Sequence, residues 1–140
     1  MSNKNIYIIV STFYSNLSHE LIKGAKSATD YSVNIVKVPG TFEIPGMVKQ
    51  IIDNKNPDLI ITLGVLIKGE TAHFEYISNA VSNSISKLSI ISTIPIIFGV
   101  ITAYDMEQAV NRSSCDQKNK GYEAMKTGLE MLDLYDQYKK

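Results

Sequence analysis

The sequence predicts an α/β fold built on a parallel sheet, and three observations carry this prediction. Four short apolar runs are rich in Ile, Val and Leu, so each run indicates a strand. The runs are unbroken rather than alternating, which is typical of strands buried on both faces. Segments of helical periodicity separate them, and this alternation favours a parallel sheet covered by helices. The 140 residues fit a single domain, residues 1–140.

The first half of the chain predicts two strands and two helices. Residues 6–10 form a short apolar run that predicts the first strand. Residues 20–28 carry apolar or small residues at helical spacing, and Ser18 is the predicted N-cap of this helix. Residues 32–38 predict the second strand. Residues 45–52 predict a helix with Pro45 at or near its first position, where proline is favoured.

The second half predicts two further strands and three helices. Residues 59–67 predict the third strand, and a helix follows over about 74–90. Residues 95–101 predict the fourth strand. Two helical segments close the chain at about 105–112 and 119–138. The sequence contains no internal repeat, linker or low-complexity tract.

Composition excludes several classes of function. Lys plus Arg and Asp plus Glu number 14 each, so we expect no binding to nucleic acid or to anionic membranes through overall charge. No apolar run reaches the roughly 18 residues of a membrane span, and the N-terminal residues do not resemble a signal peptide. Cys115 is the single cysteine, which excludes an intramolecular disulfide and fits a cytoplasmic protein. We expect no catalytic role for Cys115.

Ligands of such sheets bind in the crevice at the carboxyl ends of the strands. This rule selects four loops: residues 11–14, 38–43, 68–73 and 102–105. His73 follows a strand end and precedes a helix, so it is a candidate for proton transfer, although capping or packing would also explain it. His19 lacks such neighbours and is expected only to pack.

The same loop contains a candidate anion site. Gly69, Glu70 and Thr71 can present backbone N–H groups at a helix N-terminus, where the dipole favours an anion, but such a pattern is most often only a loop turn. Arg112 ends a predicted helix. It is expected on a solvated face unless oligomerisation brings it over the anion site of another subunit.

Three phenylalanines are candidates for contact with a planar ligand. Phe42 lies between two prolines in a strand-end loop, where an exposed ring needs cover from a ligand or a neighbouring subunit. For Phe13 and Phe98, core packing is the default expectation, yet planar heterocycles also bind aromatic faces. The residue pattern alone leaves these alternatives open.

Four segments together resemble the 6,7-dimethyl-8-ribityllumazine synthase family. In order, they are VPGTFEIP at residues 38–45, LGVLIKGETAHFEY at 63–76, PIIFGVIT at 95–102 with Glu107-Gln108-Ala109, and Asn119-Lys120-Gly121. The resemblance runs from about Ile6 to Leu134 at the spacing of the family. Because it joins several motifs in order, it is far more specific than any one motif.

The resemblance implies both an activity and an architecture. The family is a transferase of riboflavin biosynthesis that condenses 5-amino-6-(D-ribitylamino)uracil with 3,4-dihydroxy-2-butanone 4-phosphate, releasing phosphate and water, without metal or cofactor. Its fold is a flavodoxin-like three-layer α/β/α sandwich with a central four-stranded parallel sheet and a short N-terminal segment. The family forms homopentamers with active sites between subunits, in some members closed into an icosahedral shell. Riboflavin synthase is a further candidate partner.

Matching positions carry the family's site residues onto this chain. His73 is then the proton-transfer residue, and Arg112 binds phosphate in the site of a neighbouring subunit. The remaining substrate-binding residues fall into four groups by expected contact. They are Gly69, Glu70 and Thr71 at the phosphate end, Phe13 on the pyrimidine ring, Thr41, Phe42, Glu43, Leu66 and Ile67 in the ribityl and uracil pocket, and Phe98 and Lys120 from the second subunit.

The chain also departs from the family pattern. Thr12 and Tyr14 flank Phe13 where the family usually has Arg and Asn, Asp116 replaces a Lys, and Lys68 replaces an Arg. Asp116, Thr12 and Tyr14 suggest an alternative to an active synthase, a family member that binds lumazine or flavin with weak or no turnover. A shell component is a further alternative. The presence of both His73 and Arg112 favours the enzyme. The sequence does not decide between a pentamer, a decamer and a closed shell.

Overall fold

The centre of the molecule is a four-stranded parallel sheet. The structure is a computed structural model that describes residues 3–69, 73–114 and 118–139. The strands are β1 (Ile6–Ser11), β2 (Val33–Val38), β3 (Leu59–Ile67) and β4 (Ile96–Ala103). Their order across the sheet is β2-β1-β3-β4, and all pairs are parallel. The predicted parallel α/β sheet is therefore confirmed.

Helices cover both faces of this sheet. They are α1 (Ser15–Ser27), α2 (Ile44–Lys55), α3 (Phe74–Ile91), α4 (Met106–Ser113) and α5 (Lys120–Gln137). Helices α1, α4 and α5 share one apolar cluster with the sheet, whereas α2 and α3 share the other. The result is the three-layer α/β/α sandwich of the flavodoxin-like type.

Strand β3 shows why an unbroken apolar run is needed here. All nine of its residues are buried. Leu59, Ile61 and Leu63 point into the cluster with α1 and α5, while Ile60 and Leu66 point into the cluster with α2 and α3. Because successive side chains of a strand point to opposite faces, a central strand needs an apolar residue at nearly every position.

Helix α1 begins earlier than predicted, and the prediction that Ser18 is its N-cap was wrong. Tyr14 occupies the N-cap position, and Ser18 lies inside the helix. The Ser18 hydroxyl donates hydrogen bonds to the carbonyls of Ser11 and Tyr14. Burial of Leu17 against the sheet stabilises the first turn, so packing rather than a capping side chain determines where this helix starts.

The short N-terminal segment ahead of β1 is tied to the rest of the domain. The backbone N–H of Asn5 donates to Asp58 Oδ2 at 2.7 Å, and Asp58 N–H donates to the Asn5 carbonyl at 2.8 Å. Lys4 Nζ lies 3.3 Å from Asp136 of α5. Lys4, together with Lys139, lowers the pKa of the exposed Asp136 carboxyl. Within the described residues, no helix is both long and apolar enough to cross a membrane.

The strand order opens a crevice at one end of the sheet. Strand β1 lies between β2 and β3, so the chain leaves β1 toward β2 and later returns on the other side to β3. Helix α1 therefore packs on one face and α2 on the opposite face. In open α/β sheets this reversal leaves a space beyond the carboxyl ends of the central strands, where ligands bind.

Candidate functional site

A cavity of about 390 Å³ lies at the carboxyl ends of β1, β2 and β3. This volume is within the usual range of small-molecule sites. We call this cavity the rim cavity. The described residues that line it come from three strand ends and from α3. They are Phe13, Tyr14, Pro39, Gly40, Thr41, Phe42, Glu43, Val65, Leu66, Ile67 and Ile77. Six of the predicted site residues therefore meet in one cavity, although they come from three separate segments of the chain.

Two exposed aromatic rings border the rim cavity. Phe13 is 70% exposed and Phe42 is 59% exposed. The Phe13 ring meets the Tyr14 ring edge to face, with centroids 4.9 Å apart and an angle of 81° between the planes. The default expectation that Phe13 packs in the core was wrong. A solvent-exposed ring beside an apolar cavity is suited to stack on a planar heterocycle.

The loop after β2 is fastened to β3 by a buried side chain. Residues Thr41–Glu43 form a short 3-10 turn that the sequence pattern did not predict. Thr41 is 4% exposed, and its hydroxyl donates to the Val65 carbonyl at 3.4 Å. The Glu43 N–H donates to the Gly40 carbonyl at 3.2 Å. Thr41 thus holds the turn in place, so that Phe42 and Glu43 line the cavity.

The end of β3 leads into the loop that contains the predicted anion site. The Lys68 N–H donates to the Ala103 carbonyl of β4 at 2.8 Å, and Gly69 adopts a φ of +91°. This left-handed backbone favours glycine, because a Cβ atom would be strained there. Glu70 and Thr71 lie outside the described residues, as do Cys115 and Asp116.

His73 lies where this loop enters α3. It occupies the N-cap position, its side chain is exposed, and its ring centroid lies 6.3 Å from that of Tyr76. Its carbonyl accepts a hydrogen bond from the Ile77 N–H at 2.9 Å. Because Ile77 lines the rim cavity, His73 is one helical turn away from the cavity wall.

Besides Gly69 and His73, three described residues of the predicted site do not line the rim cavity of their own chain. Phe98 of β4 is 38% exposed and borders a separate hollow against α3. Arg112 is in the last turn of α4, and its guanidinium donates to the Thr102 carbonyl at 3.0 Å. Lys120 is the first residue of α5. All three lie toward the β4 edge of the sheet or on the helices that follow it.

The sequence reasoning missed some residues of the cavity wall. Ile77 was not singled out, although it follows His73 by one helical turn and so lies on the same side of α3. Val65 was not singled out either, because its apolar side chain is typical of any buried strand. Tyr14 belongs to one of the four selected strand-end loops, but it was singled out only as a departure from the family, and it forms part of the wall.

Comparison with known proteins shows that this chain is similar to one enzyme family. The model of a family described as 6,7-dimethyl-8-ribityllumazine synthase matches residues 3–136. A curated 6,7-dimethyl-8-ribityllumazine synthase of Leuconostoc mesenteroides subsp. mesenteroides is 38% identical over 144 residues, which cover 99% of this chain and 92% of that protein. Both matches extend over all the strands and helices around the rim cavity.

Proposed function

This chain belongs to the 6,7-dimethyl-8-ribityllumazine synthase family, and from that membership we propose that the rim cavity is half of its active site. The enzyme is a transferase that condenses 5-amino-6-(D-ribitylamino)uracil with 3,4-dihydroxy-2-butanone 4-phosphate in riboflavin biosynthesis. The observation that supports the site is the meeting of six predicted residues from three segments in one cavity.

The reaction sets three requirements for such a site. An amine of the uracil attacks the ketone, an imine forms with loss of water, phosphate leaves, and the new ring closes with loss of a second water. The two substrates must therefore be held together in a fixed orientation. Protons must be moved at each addition and elimination. The phosphate must also be bound as an anion before it leaves.

We assign the rim cavity to the pyrimidine substrate. The exposed Phe13 ring stacks on the uracil ring, and the strand-end residues Leu66 and Ile67 face the uracil edge. The turn that contains Phe42 and Glu43 lies along the ribityl chain. The Glu43 carboxylate can accept hydrogen bonds from ribityl hydroxyls, because an ionised carboxylate is an acceptor with two oxygens.

We assign the phosphate and proton chemistry to the loop between β3 and α3. Gly69, just after β3, has a left-handed backbone, and α3 is an 18-residue helix whose dipole favours an anion at its N-terminus. Glu70 and Thr71 complete this end of the site in the proposal. His73, at the start of the same helix, takes a proton from the attacking amine and returns protons to the departing oxygens.

We further propose that a second subunit completes the site, within a homopentamer. Phe98, Arg112 and Lys120 lie outside the rim cavity of their own chain, which supports a role in the site of a neighbour. Large apolar or aromatic side chains are exposed near them, including Ile90 at 79% and Tyr104 at 71%. An exposed apolar surface of this kind is typical of a subunit interface. A cytoplasmic location and contact with riboflavin synthase also belong to this proposal.

The stacking role of Phe13 predicts a measurable loss of product affinity. Phe13→Ala is expected to weaken binding of the lumazine product about two- to tenfold, since an aromatic pair contributes about 0.5–1.5 kcal/mol. The dissociation constant can be measured by titrating the lumazine and following its fluorescence. Tyr138→Ala is the matched control, because Tyr138 is 83% exposed and lies at the end of α5, outside the rim cavity. If both variants bind the lumazine product with the same dissociation constant, Phe13 does not contribute to product binding.

The phosphate role of Arg112 predicts a selective effect on one substrate. Arg112→Ala is expected to raise the KM for the phosphate substrate about ten- to a hundredfold, because a charge-assisted hydrogen bond to phosphate is lost. The KM for the pyrimidine should change little. Steady-state lumazine formation with each substrate varied in turn measures both constants. Lys26→Ala, which removes an exposed cation in the last turn of α1, is the control.

Mixing two variants that are both impaired at a low concentration of the phosphate substrate tests whether the site is shared between subunits. Chains with His73→Ala and chains with Arg112→Ala are unfolded together and refolded as mixed rings. In an equal mixture about a quarter of the interfaces join an intact His73 to an intact Arg112, because each ring interface is heterologous. At a low concentration of the phosphate substrate, the mixture should therefore be more active than either variant alone. Activity no higher than that of the separate variants, in rings shown to contain both chains, would contradict a site shared between subunits.

A further inference from the structure

The side chain of Asn119 joins three helices at the junction between α4 and α5. Asn119 is completely buried. Its amide Nδ2 donates to the Ser113 carbonyl at 2.8 Å and to the Glu20 carbonyl at 3.0 Å. Its Oδ1 accepts from the Tyr122 N–H at 3.0 Å. One side chain thus connects the last residue of α4, a turn of α1 and the first turn of α5.

The surrounding backbone leaves just enough space for this amide. A Cβ atom at Gly24 of α1 would lie 2.1 Å from Asn119 Oδ1. Both N–H groups of the amide have acceptors, and its oxygen has a donor, so burial leaves no unsatisfied donor. A buried polar group is costly unless it is hydrogen-bonded, and this one holds three backbone groups in a fixed geometry.

We propose that Asn119 is a positioning residue for the phosphate end of the active site. Arg112 immediately precedes Ser113, whose carbonyl Asn119 holds, and Lys120 immediately follows Asn119. The other end of Arg112 is fixed by the hydrogen bond to the Thr102 carbonyl. Asn119 therefore determines where α4 ends and where α5 begins, and with them the positions of both cations. The inference rests on the proposed function, because the phosphate role of Arg112 comes from it.

Asn119→Asp tests this role with little change of shape. The aspartate retains an acceptor for the Tyr122 N–H but places a carboxylate oxygen against two carbonyls in place of the N–H donors. Inorganic phosphate serves as the probe, through its inhibition constant in the synthase assay. We expect that constant and the KM for the phosphate substrate to rise about ten- to a hundredfold, since small displacements of positioned groups have large effects. The KM for the pyrimidine should stay within about twofold.

A double-mutant cycle with Arg112→Ala separates positioning from general damage. If Asn119 acts through Arg112, adding Asn119→Asp to Arg112→Ala should not weaken phosphate binding much further. Additive effects, or equal losses for both substrates, would overturn the inference. If Arg112→Ala raises the inhibition constant of inorganic phosphate and Asn119→Asp leaves it unchanged, the inference about Asn119 is wrong, while the proposed function stands. An unchanged constant in Arg112→Ala itself would instead contradict the proposed function, and the inference with it.

A measurement on the unsubstituted protein covers the case in which Asn119→Asp does not fold. If phosphate binding and the Asn119 contacts are coupled, saturating inorganic phosphate should slow hydrogen exchange at the Tyr122 amide, which donates to Asn119 Oδ1. The slowing should disappear in Arg112→Ala. Exchange at Tyr122 that is unaffected by phosphate in the unsubstituted protein would overturn the inference.

Discussion

Replacing His73 with alanine is expected to lower the turnover number by roughly ten- to ten-thousandfold, the range for loss of a general acid–base residue. The fold should be unaffected, because the side chain is exposed at the start of α3. The hydrogen bond from the Ile77 N–H goes to the His73 carbonyl, which alanine retains. Steady-state lumazine formation from the two purified substrates, followed by absorbance, gives the turnover number.

His19→Ala is the matched control for this experiment. His19 is also exposed, but it lies on α1 and does not line the rim cavity. Its removal should leave the turnover number within about twofold, as for most surface substitutions. An unchanged turnover number in His73→Ala would remove His73 from the mechanism. A loss of the assembled state in the same variant, seen by sedimentation, would point to a structural role instead.

The sequence predicted the framework well where burial alone determines it. The limits of β3 agree with prediction at both ends, because residues 59–67 must be apolar on two faces. The N-cap of α1 was placed four residues too late, at Ser18 and not at Tyr14, since Ser15 and Asn16 are exposed and break the apolar periodicity. Local pattern identifies the buried part of an element more reliably than its exposed first turn.

The site was predictable only in part, because it depends on contacts between distant segments. The family resemblance selected Phe13, Phe42 and Leu66, and the strand order brings them to one cavity. Strand order is not encoded in local periodicity. Asn119 shows the same limit: its bond to Glu20 spans 99 residues, and the sequence alone indicates no more than a helix start there. The roles proposed for Phe98 and Lys120 depend on a second chain.

The contact between α1 and α5 leaves no room for an added methyl group, so a substitution there should lower the stability of the folded chain strongly. Gly121→Ala should destabilise the folded chain by about 3 kcal/mol, at the upper end for overpacking. The added Cβ would lie 2.0 Å from the Leu21 carbonyl oxygen of α1, and a backbone atom cannot rotate away. Thermal unfolding at a fixed protein concentration measures the effect, with an expected fall in Tm of roughly 6–15 °C for a chain of this size.

Gly46→Ala distinguishes this steric effect from helix propensity. Gly46 is also helical, in α2, but a Cβ there would meet nothing within 4 Å. Alanine should therefore leave stability unchanged or raise it by up to about 1 kcal/mol, because glycine is a poor helix former. If both variants melt at the same temperature, α1 and α5 tolerate the extra methyl group. If only Gly121→Ala melts at a lower temperature, α5 needs a glycine at this position to approach α1. Since that approach also brings Asn119 to the Glu20 carbonyl, Gly121→Ala should weaken phosphate binding as well.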